Sequence, residues 1–251
     1  MRHADPSLNP TFTSHSSTTR ARLWVVAALL ATGLTGLVPA RARAQDPIPA
    51  LEARADHYAG MAHQIWEWAE VGYQEEMSSA LLQEELAAHG FEIESGVAGM
   101  PTAFIATFGS GGPIIGILAE FDALPGISQD AVAERKPVVV DGAGHACGHH
   151  LFGTASVAAA IATKEWLESS GREGTLRLYG TPAEEGGAGK VYMVRDGLFE
   201  DVDIALHWHP GDRNSAAAGG SLANKSAKFR FRGYSAHAAG APERGRSALD
   251  G

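Results

Sequence analysis

Short apolar runs alternate with helical segments along this chain, and this alternation constrains the fold more than any other feature. The runs are rich in β-branched and aromatic residues and cover 102–108 (TAFIATF), 113–118 (PIIGIL), 175–179 (TLRLY) and 202–206 (VDIAL). Apolar positions at helical spacing mark 51–69, 78–89 and 150–167. Buried strands that alternate with helices predict an α/β domain with a parallel-rich sheet and flanking helices.

Clusters of ionisable residues follow three of these runs directly. The clusters are 119–122 (AEFD), 181–187 (TPAEEGG) and 207–210 (HWHP), and a fourth, 145–150 (HACGHH), opens the third helical segment. In open α/β sheets, ligands bind beyond the carboxyl ends of the strands. We therefore expect the four clusters to build one site.

The residue types in these clusters indicate a metal-dependent hydrolase. Thiolate, imidazole and carboxylate together suit zinc or manganese better than calcium or magnesium. Cys147 and His149 can reach one ion from a glycine-containing turn, and a helix start with nearby cations is expected to favour the Cys147 thiolate. The adjacent Glu184 and Glu185 face different sides, so one can bind metal while the other takes a proton from water.

Other interpretations of the same residues stay open at this point. Cys147 is the one cysteine of the chain, and it could be a small buried side chain or the nucleophile of a cysteine hydrolase. The second option leaves the Glu184–Glu185 pair unused. A binding module that keeps the fold without catalysis is the alternative function. The histidines at 57, 63 and 89 have no partners in sequence and are interpreted as structural.

The first 44 residues have the pattern of a secretory signal. They contain five arginines and one acidic residue, an apolar run over 23–38, and an A-x-A site at 42–44. Cleavage after Ala44 would export the protein to the periplasm or the medium, without stable membrane insertion. An uncleaved anchor is the alternative, but the run is shorter than the ~20 residues of a spanning helix. The remaining 15 basic and 28 acidic residues give a charge of −13, which argues against a nucleic-acid partner.

Four long motifs resemble the metal-dependent amidohydrolases of the aminoacylase and glutamate-carboxypeptidase-like family. They are 144–153 (GHACGHHLFG), 179–190 (YGTPAEEGGAGK), 206–210 (LHWHP) and 233–251 (GYSAHAAGAPERGRSALDG). The resemblance extends from about residue 51 to residue 251. Within the family, the chain is most similar to the branch that acts on p-aminobenzoyl-glutamate.

The resemblance implies a zinc-peptidase-like catalytic domain over 45–222 and the beginning of an inserted α+β lid over 223–251. It implies hydrolysis of the amide bond of a small N-acyl or p-aminobenzoyl amino acid, with two manganese or zinc ions in a complete site. It also implies a homodimer or hetero-oligomer formed through the lid. Relatives continue past residue 251 and supply a last ligand histidine there.

The resemblance also implies a role for individual residues. Glu184 corresponds to the general base, and Asp122 corresponds to a residue that orients a ligand. His237 corresponds to a lid histidine that stabilises the oxyanion. The metal ligands correspond to Cys147, His149, Glu185 and His207, with Cys147 bridging the two ions. Many relatives have aspartate at the position of His150.

Overall fold

The computed structural model describes residues 46–216, 219–220, 222–223, 225 and 227–250. The predicted signal sequence, 1–44, therefore lies outside the described residues. Contacts divide the chain into two units, one that ends at Pro210 and one that begins at Gly211. No helix in the described part of the chain has the length and apolar character needed to cross a membrane.

The first unit contains both helices and strands. Its helices are α1 (Ile48–Ala53), α2 (Ala55–Trp68), α3 (Glu76–Ala88), α4 (His149–Ser170) and α5 (Gly189–Arg195). Its strands are β1 (Glu92–Ser95), β2 (Phe104–Ser110), β3 (Ile114–Ala119), β4 (Gly174–Gly180) and β5 (Ile204–Leu206). The helix predicted over 51–69 is interrupted at Arg54, whose φ of −107° and ψ of 9° are not helical.

The five strands form one mixed sheet in the order β1-β2-β4-β3-β5. Strand β3 is parallel to both β4 and β5, whereas β2 is antiparallel to β1 and β4. The α/β class with flanking helices is confirmed, and the parallel part of the sheet is its β4-β3-β5 half. Because parallel strands end at one edge, the residues after β3, β4 and β5 lie together.

Alternation along the strands gives the sheet two apolar faces. On β4, Leu176 and Leu178 belong to a core shared with α2, α3 and α4, whereas Tyr179 belongs to a second cluster with Ile105 and Met193. The first face is covered by long helices and the second by α5 and the loop before β2. Both faces of the sheet are therefore buried, and the ionisable residues lie at the edge where β3, β4 and β5 end.

Helix α4 packs very closely against the end of β3. A Cβ atom added at Gly153 would lie 2.7 Å from the carbonyl oxygen of Glu120, so only glycine permits this approach. The helix ends at Gly171, which adopts the left-handed conformation with φ of 61°. The close packing fixes the first residue of α4, His149, beside the residues that follow β3.

The second unit contains little regular structure among its described residues. It has two short 3₁₀ turns, Pro242–Arg244 and Ala248–Asp250, and an isolated bridge between Tyr234 and Arg246. The sequence of 225–232 (KSAKFRFR) alternates as a half-exposed strand would, and this predicts a strand there, but no described residue of the segment is in one. An alternating segment needs neighbouring strands to pair with. The assignment of 223–251 to a lid stays a prediction.

Candidate metal centre

His149 lies between two buried carboxylates that follow β3. Its Nδ1 atom is 2.9 Å from Asp122 Oδ1, and its Nε2 atom is 3.1 Å from Glu120 Oε2. The three side chains are almost completely buried. Glu120 and Asp122 are two residues apart on extended backbone, so they point to the same side while Phe121 between them stacks on Phe104 in the core.

The turn after β4 directs its two carboxylates to different partners, as the sequence predicts. Glu184 Oε2 lies 3.9 Å from His149 Nε2. The Glu185 carboxylate lies against the Cys147 thiol, and the Glu185 N–H donates to Asp122 Oδ2 over 2.9 Å. Asp122 therefore contacts both His149 and the backbone of the glutamate turn.

Within the described part of the chain, two groups of side chains have donor atoms close enough to bind one ion, and both include His149. One group is Cys147, His149 and His209, and the other is Glu120, His149 and Glu184. In the first group, Cys147 Sγ is 3.3 Å from His209 Nε2.

His207 belongs to neither group. Its Nε2 atom lies 3.2 Å from Glu120 Oε1, and the Lys190 amine contacts the same oxygen. Glu185 is also outside both groups. The structure thus brings five of the predicted residues, Cys147, His149, Glu184, Glu185 and Asp122, to one place, with a sixth, His207, beside Glu120. The exact ligand set stays a prediction.

Three buried atoms in this cluster make no hydrogen bond of good geometry among the described residues. They are His149 Nε2, Glu120 Oε2 and Glu185 Oε1. Two of them, His149 Nε2 and Glu120 Oε2, form an ion pair over 3.1 Å. A divalent cation would be bound by such nitrogen and oxygen atoms, and the nearby thiol adds a soft donor. The residues present therefore fit a transition metal.

Two of the predicted metal ligands, His149 and Cys147, have raised pKa values in the cluster and keep their protons when no metal is bound. Burial alone would lower the pKa of His149, but the Asp122 and Glu120 carboxylates raise it to about 10. Burial alone would raise the pKa of Glu120, but His149 and Lys190 hold it at about 2. The prediction of a Cys147 thiolate is wrong for the metal-free chain, because burial and the Glu185 carboxylate raise the thiol pKa to about 12.

Glu120, His209 and Lys190 contribute to the cluster, although none of them is among the predicted catalytic residues or metal ligands. Glu120 and His209 each stand two residues from a predicted site residue, in 119–122 and 207–210. The two-residue period of extended backbone was therefore the signal that could have identified them. Lys190 lies in the motif over 179–190 but carried no chemical signal of its own.

His237 lies in the second unit, within a tight turn. Its Nδ1 atom accepts hydrogen bonds from the N–H groups of Ala239 and Gly240, at 3.2 and 3.0 Å. An Nδ1 atom that accepts must be unprotonated, so the neutral ring carries its proton on Nε2. In this tautomer, the His237 ring can donate one hydrogen bond from Nε2.

A protein-family model matches nearly half of the chain. Residues 116–239 match the family model of peptidase family M20/M25/M40. The chain contains a peptidase M20 domain. The match includes the segments after β3, β4 and β5 and the whole of α4.

Curated relatives extend the similarity over most of this chain. A p-aminobenzoyl-glutamate hydrolase subunit from Escherichia coli K12 is 49% identical over 202 residues, which are 80% of this chain and 42% of that protein. Hippurate hydrolase from Campylobacter jejuni is 32% identical over 64% of this chain and 41% of that enzyme. The chain thus spans less than half the length of these relatives.

Two solved structures are similar to this chain in fold. A dinuclear metal-binding M20 peptidase from Bacillus subtilis has a TM-score of 0.53 and 29% identity, over 62% of this chain and 43% of its own. An aminohydrolase described as putative, from methicillin-resistant Staphylococcus aureus, has a TM-score of 0.56 and 25% identity, over 66% and 42%. These similarities confirm the resemblance drawn from the four motifs.

Proposed function

We propose that this protein hydrolyses the amide bond of N-acyl or p-aminobenzoyl amino acids at a divalent metal centre around His149. One observation carries the proposal. Donor atoms of Glu120, His149 and Glu184, from three separate segments, lie within 4.8 Å of one another, and those of Cys147 and His209 lie equally close to His149. The 49% identity to the Escherichia coli p-aminobenzoyl-glutamate hydrolase subunit supports the substrate class.

The residues of the cluster divide the work in this proposal. His149 is central, and the predicted ligands Cys147, Glu185 and His207, with His209 and Glu120, are the candidates to complete the ligand set. A bound divalent cation supplies a Lewis acid that polarises the amide carbonyl and acidifies water.

Glu184 is the proposed general base. Its side chain is 44% exposed and lies 3.9 Å from His149, so it is open to water and substrate. Glu184 takes a proton from the attacking water and gives it to the leaving amine. Asp122 keeps His149 and the glutamate turn in place through its two oxygens. His237 is proposed to donate from Nε2 to the developing oxyanion.

The metal is proposed to be zinc or manganese, with two ions in the complete site. Sulfur, nitrogen and oxygen donors together favour these ions. Thiol, imidazole and carboxylate donors surround His149, and two ions are supported by the similar Bacillus subtilis peptidase, which is described as dinuclear. Elemental analysis after reloading with each metal would test identity and stoichiometry.

Export and assembly complete the proposal. The arginine-flanked apolar run and the A-x-A site support cleavage after Ala44, and a mature N-terminus far from Gln45 would contradict it. The similar Escherichia coli protein is named as one subunit of a hydrolase, which supports a hetero-oligomer, formed through the proposed lid. Mass measurement in the presence of candidate partner subunits would test this assembly.

The catalytic test measures release of p-aminobenzoate from p-aminobenzoyl-glutamate. We expect a chelator to abolish turnover, and zinc or manganese to restore it. Benzoyl-glycine and N-acetyl amino acids define how much of the acyl group is recognised. A Glu168→Gln variant is the matched control for Glu184→Gln, because Glu168 is an exposed residue that pairs with Lys164 on α4. Turnover that survives complete metal removal would contradict the proposal.

A further inference from the structure

Glu75 is a buried carboxylate outside the cluster that the proposed mechanism leaves unused. Among the described acidic residues, only Glu75, Glu120 and Asp122 are buried in the structure, and Glu75 is 0% exposed. Burying a carboxylate is costly unless hydrogen bonds compensate. Glu75 stands immediately before α3. Its hydrogen bonds therefore indicate its purpose.

Both oxygens of Glu75 accept hydrogen bonds from other segments. Oε1 accepts from the Ala183 N–H over 2.8 Å, across 108 positions of sequence. Oε2 accepts from the Thr102 hydroxyl over 3.0 Å. The first bond reaches the residue directly before Glu184.

Ala183 needs this support because its backbone is strained. It adopts the left-handed conformation with φ of 56°, which is unfavourable for a residue with a Cβ atom. Its carbonyl accepts from the Gly187 N–H over 3.0 Å, so both sides of Ala183 are fixed. The left-handed residue turns the chain sharply out of β4 and directs Glu184 and Glu185 into the cluster.

The loop of residues 69–75 supports the same turn by packing. A Cβ atom added at Gly72 would lie 2.8 Å from the Ala183 Cβ. The same loop contacts the segment after β3, since the Ala123 N–H donates to the Glu70 carbonyl over 2.8 Å. The loop therefore contacts the segments after both β3 and β4 and stabilises them from outside the cluster.

We propose that Glu75 is a positioning residue that holds the Glu184–Glu185 turn in its working conformation. The proposal rests on the function proposed above for these two glutamates. Two buried carboxylates then fix the turn from opposite ends. Glu75 binds the N–H that precedes Glu184, and Asp122 binds the N–H of Glu185. Displacement of catalytic groups by about 1 Å can cost about 10²-fold in rate.

The test compares two substitutions of Glu75 with a control for stability. Glu75→Met removes the acceptor and keeps the length of the side chain. Glu75→Gln keeps an oxygen for the Ala183 N–H, and its amide can donate to the Thr102 hydroxyl. Thr175→Val is the control, because it removes one largely buried hydrogen bond, to Gly111, at the opposite end of β4.

Turnover of the metal-loaded protein, metal affinity and thermal stability are measured for each variant. We expect Glu75→Met to lower kcat about 10²-fold with KM within about threefold, and to weaken metal binding about tenfold. Glu75→Gln should stay within about threefold of the wild type in both. Thr175→Val should lower the melting temperature and leave kcat and metal affinity unchanged.

The proposal would be overturned if Glu75→Met and Thr175→Val lost the same stability and the same kcat. It would also be overturned if Glu75→Gln were as impaired as Glu75→Met. If Glu75→Met does not fold, Gly72→Ala provides the second test, because its methyl group would press on Ala183. Unchanged metal affinity and kcat in Gly72→Ala would then refute the positioning role. A wild-type protein without amidase activity would refute the proposed function, and the metal-affinity comparison would still decide the role of Glu75.

Discussion

Metal binding to this protein should depend steeply on pH, because two candidate ligands carry protons in the metal-free chain. His149 has a pKa of about 10, since the Asp122 and Glu120 carboxylates outweigh the effect of its burial. Cys147 has a pKa of about 12, since its burial and the Glu185 carboxylate disfavour the thiolate. Both ligands must lose their protons to bind a cation.

The size of the effect follows from the number of protons displaced. Between pH 7 and pH 9 both groups are protonated in the metal-free chain, because both pKa values lie above this range. Each displaced proton changes the apparent affinity about tenfold per pH unit, so two protons change it by about 100-fold per unit. The sign is positive, so the affinity increases as the pH rises. In Cys147→Ala the dependence should fall to about tenfold per unit.

Competition with a chelator of known pH behaviour measures the affinity at pH 7, 8 and 9. Calorimetry in two buffers with different ionisation enthalpies counts the protons released per zinc ion. His89→Ala is the control, because His89 pairs with Glu85 on α3 and should leave the slope unchanged. An affinity independent of pH, or an equal slope in Cys147→Ala and the wild type, would refute the reasoning.

Three further predictions concern the cluster and the core. Glu184→Gln should retain metal and lose about 10²–10⁴-fold in hydrolysis, whereas Glu185→Gln should also lose metal in elemental analysis. Lys190→Met should raise the pKa of Glu120 from about 2, so acid unfolding followed by circular dichroism should begin at higher pH; an unchanged midpoint would contradict the pairing. Leu178→Ala, at a fully buried core position, should lower the free energy of unfolding by about 2–5 kcal/mol in urea titrations.

The sequence was sufficient to predict the architecture of the site, because its signals are local. Apolar runs followed by charged clusters identified β3, β4 and β5, whose carboxyl ends share one edge. The alternating segment 225–232, which is in no strand among its described residues, and the unpredicted strand β1 show the opposite case. Strand β1 (EIES) is polar and mostly exposed, so it depends on pairing with β2 and not on its own composition.

The details of the site depend on side-chain contacts that no local pattern contains. The Cys147 thiolate was expected from the nearby start of α4, but the residue faces Glu185 from a segment 38 positions later in the chain. Burial of the thiol, and then the full negative charge of Glu185 at contact distance, outweigh the partial positive charge of a helix end. The choice between His207 and His209 similarly depends on which ring reaches Cys147 and which reaches Glu120.

The protonation of His149 also explains how so acidic a cluster can fold before it acquires metal. Glu120 and Asp122 are buried within 3.1 Å of the same imidazole ring, and unpaired buried charges are strongly destabilising. A proton on His149 and the amine of Lys190 balance the two carboxylates in the metal-free state. A divalent cation that binds His149 displaces its proton. The positive charge beside Glu120 and Asp122 is then supplied by the metal, so the carboxylates stay balanced. The pH dependence of metal binding is a direct consequence of this exchange.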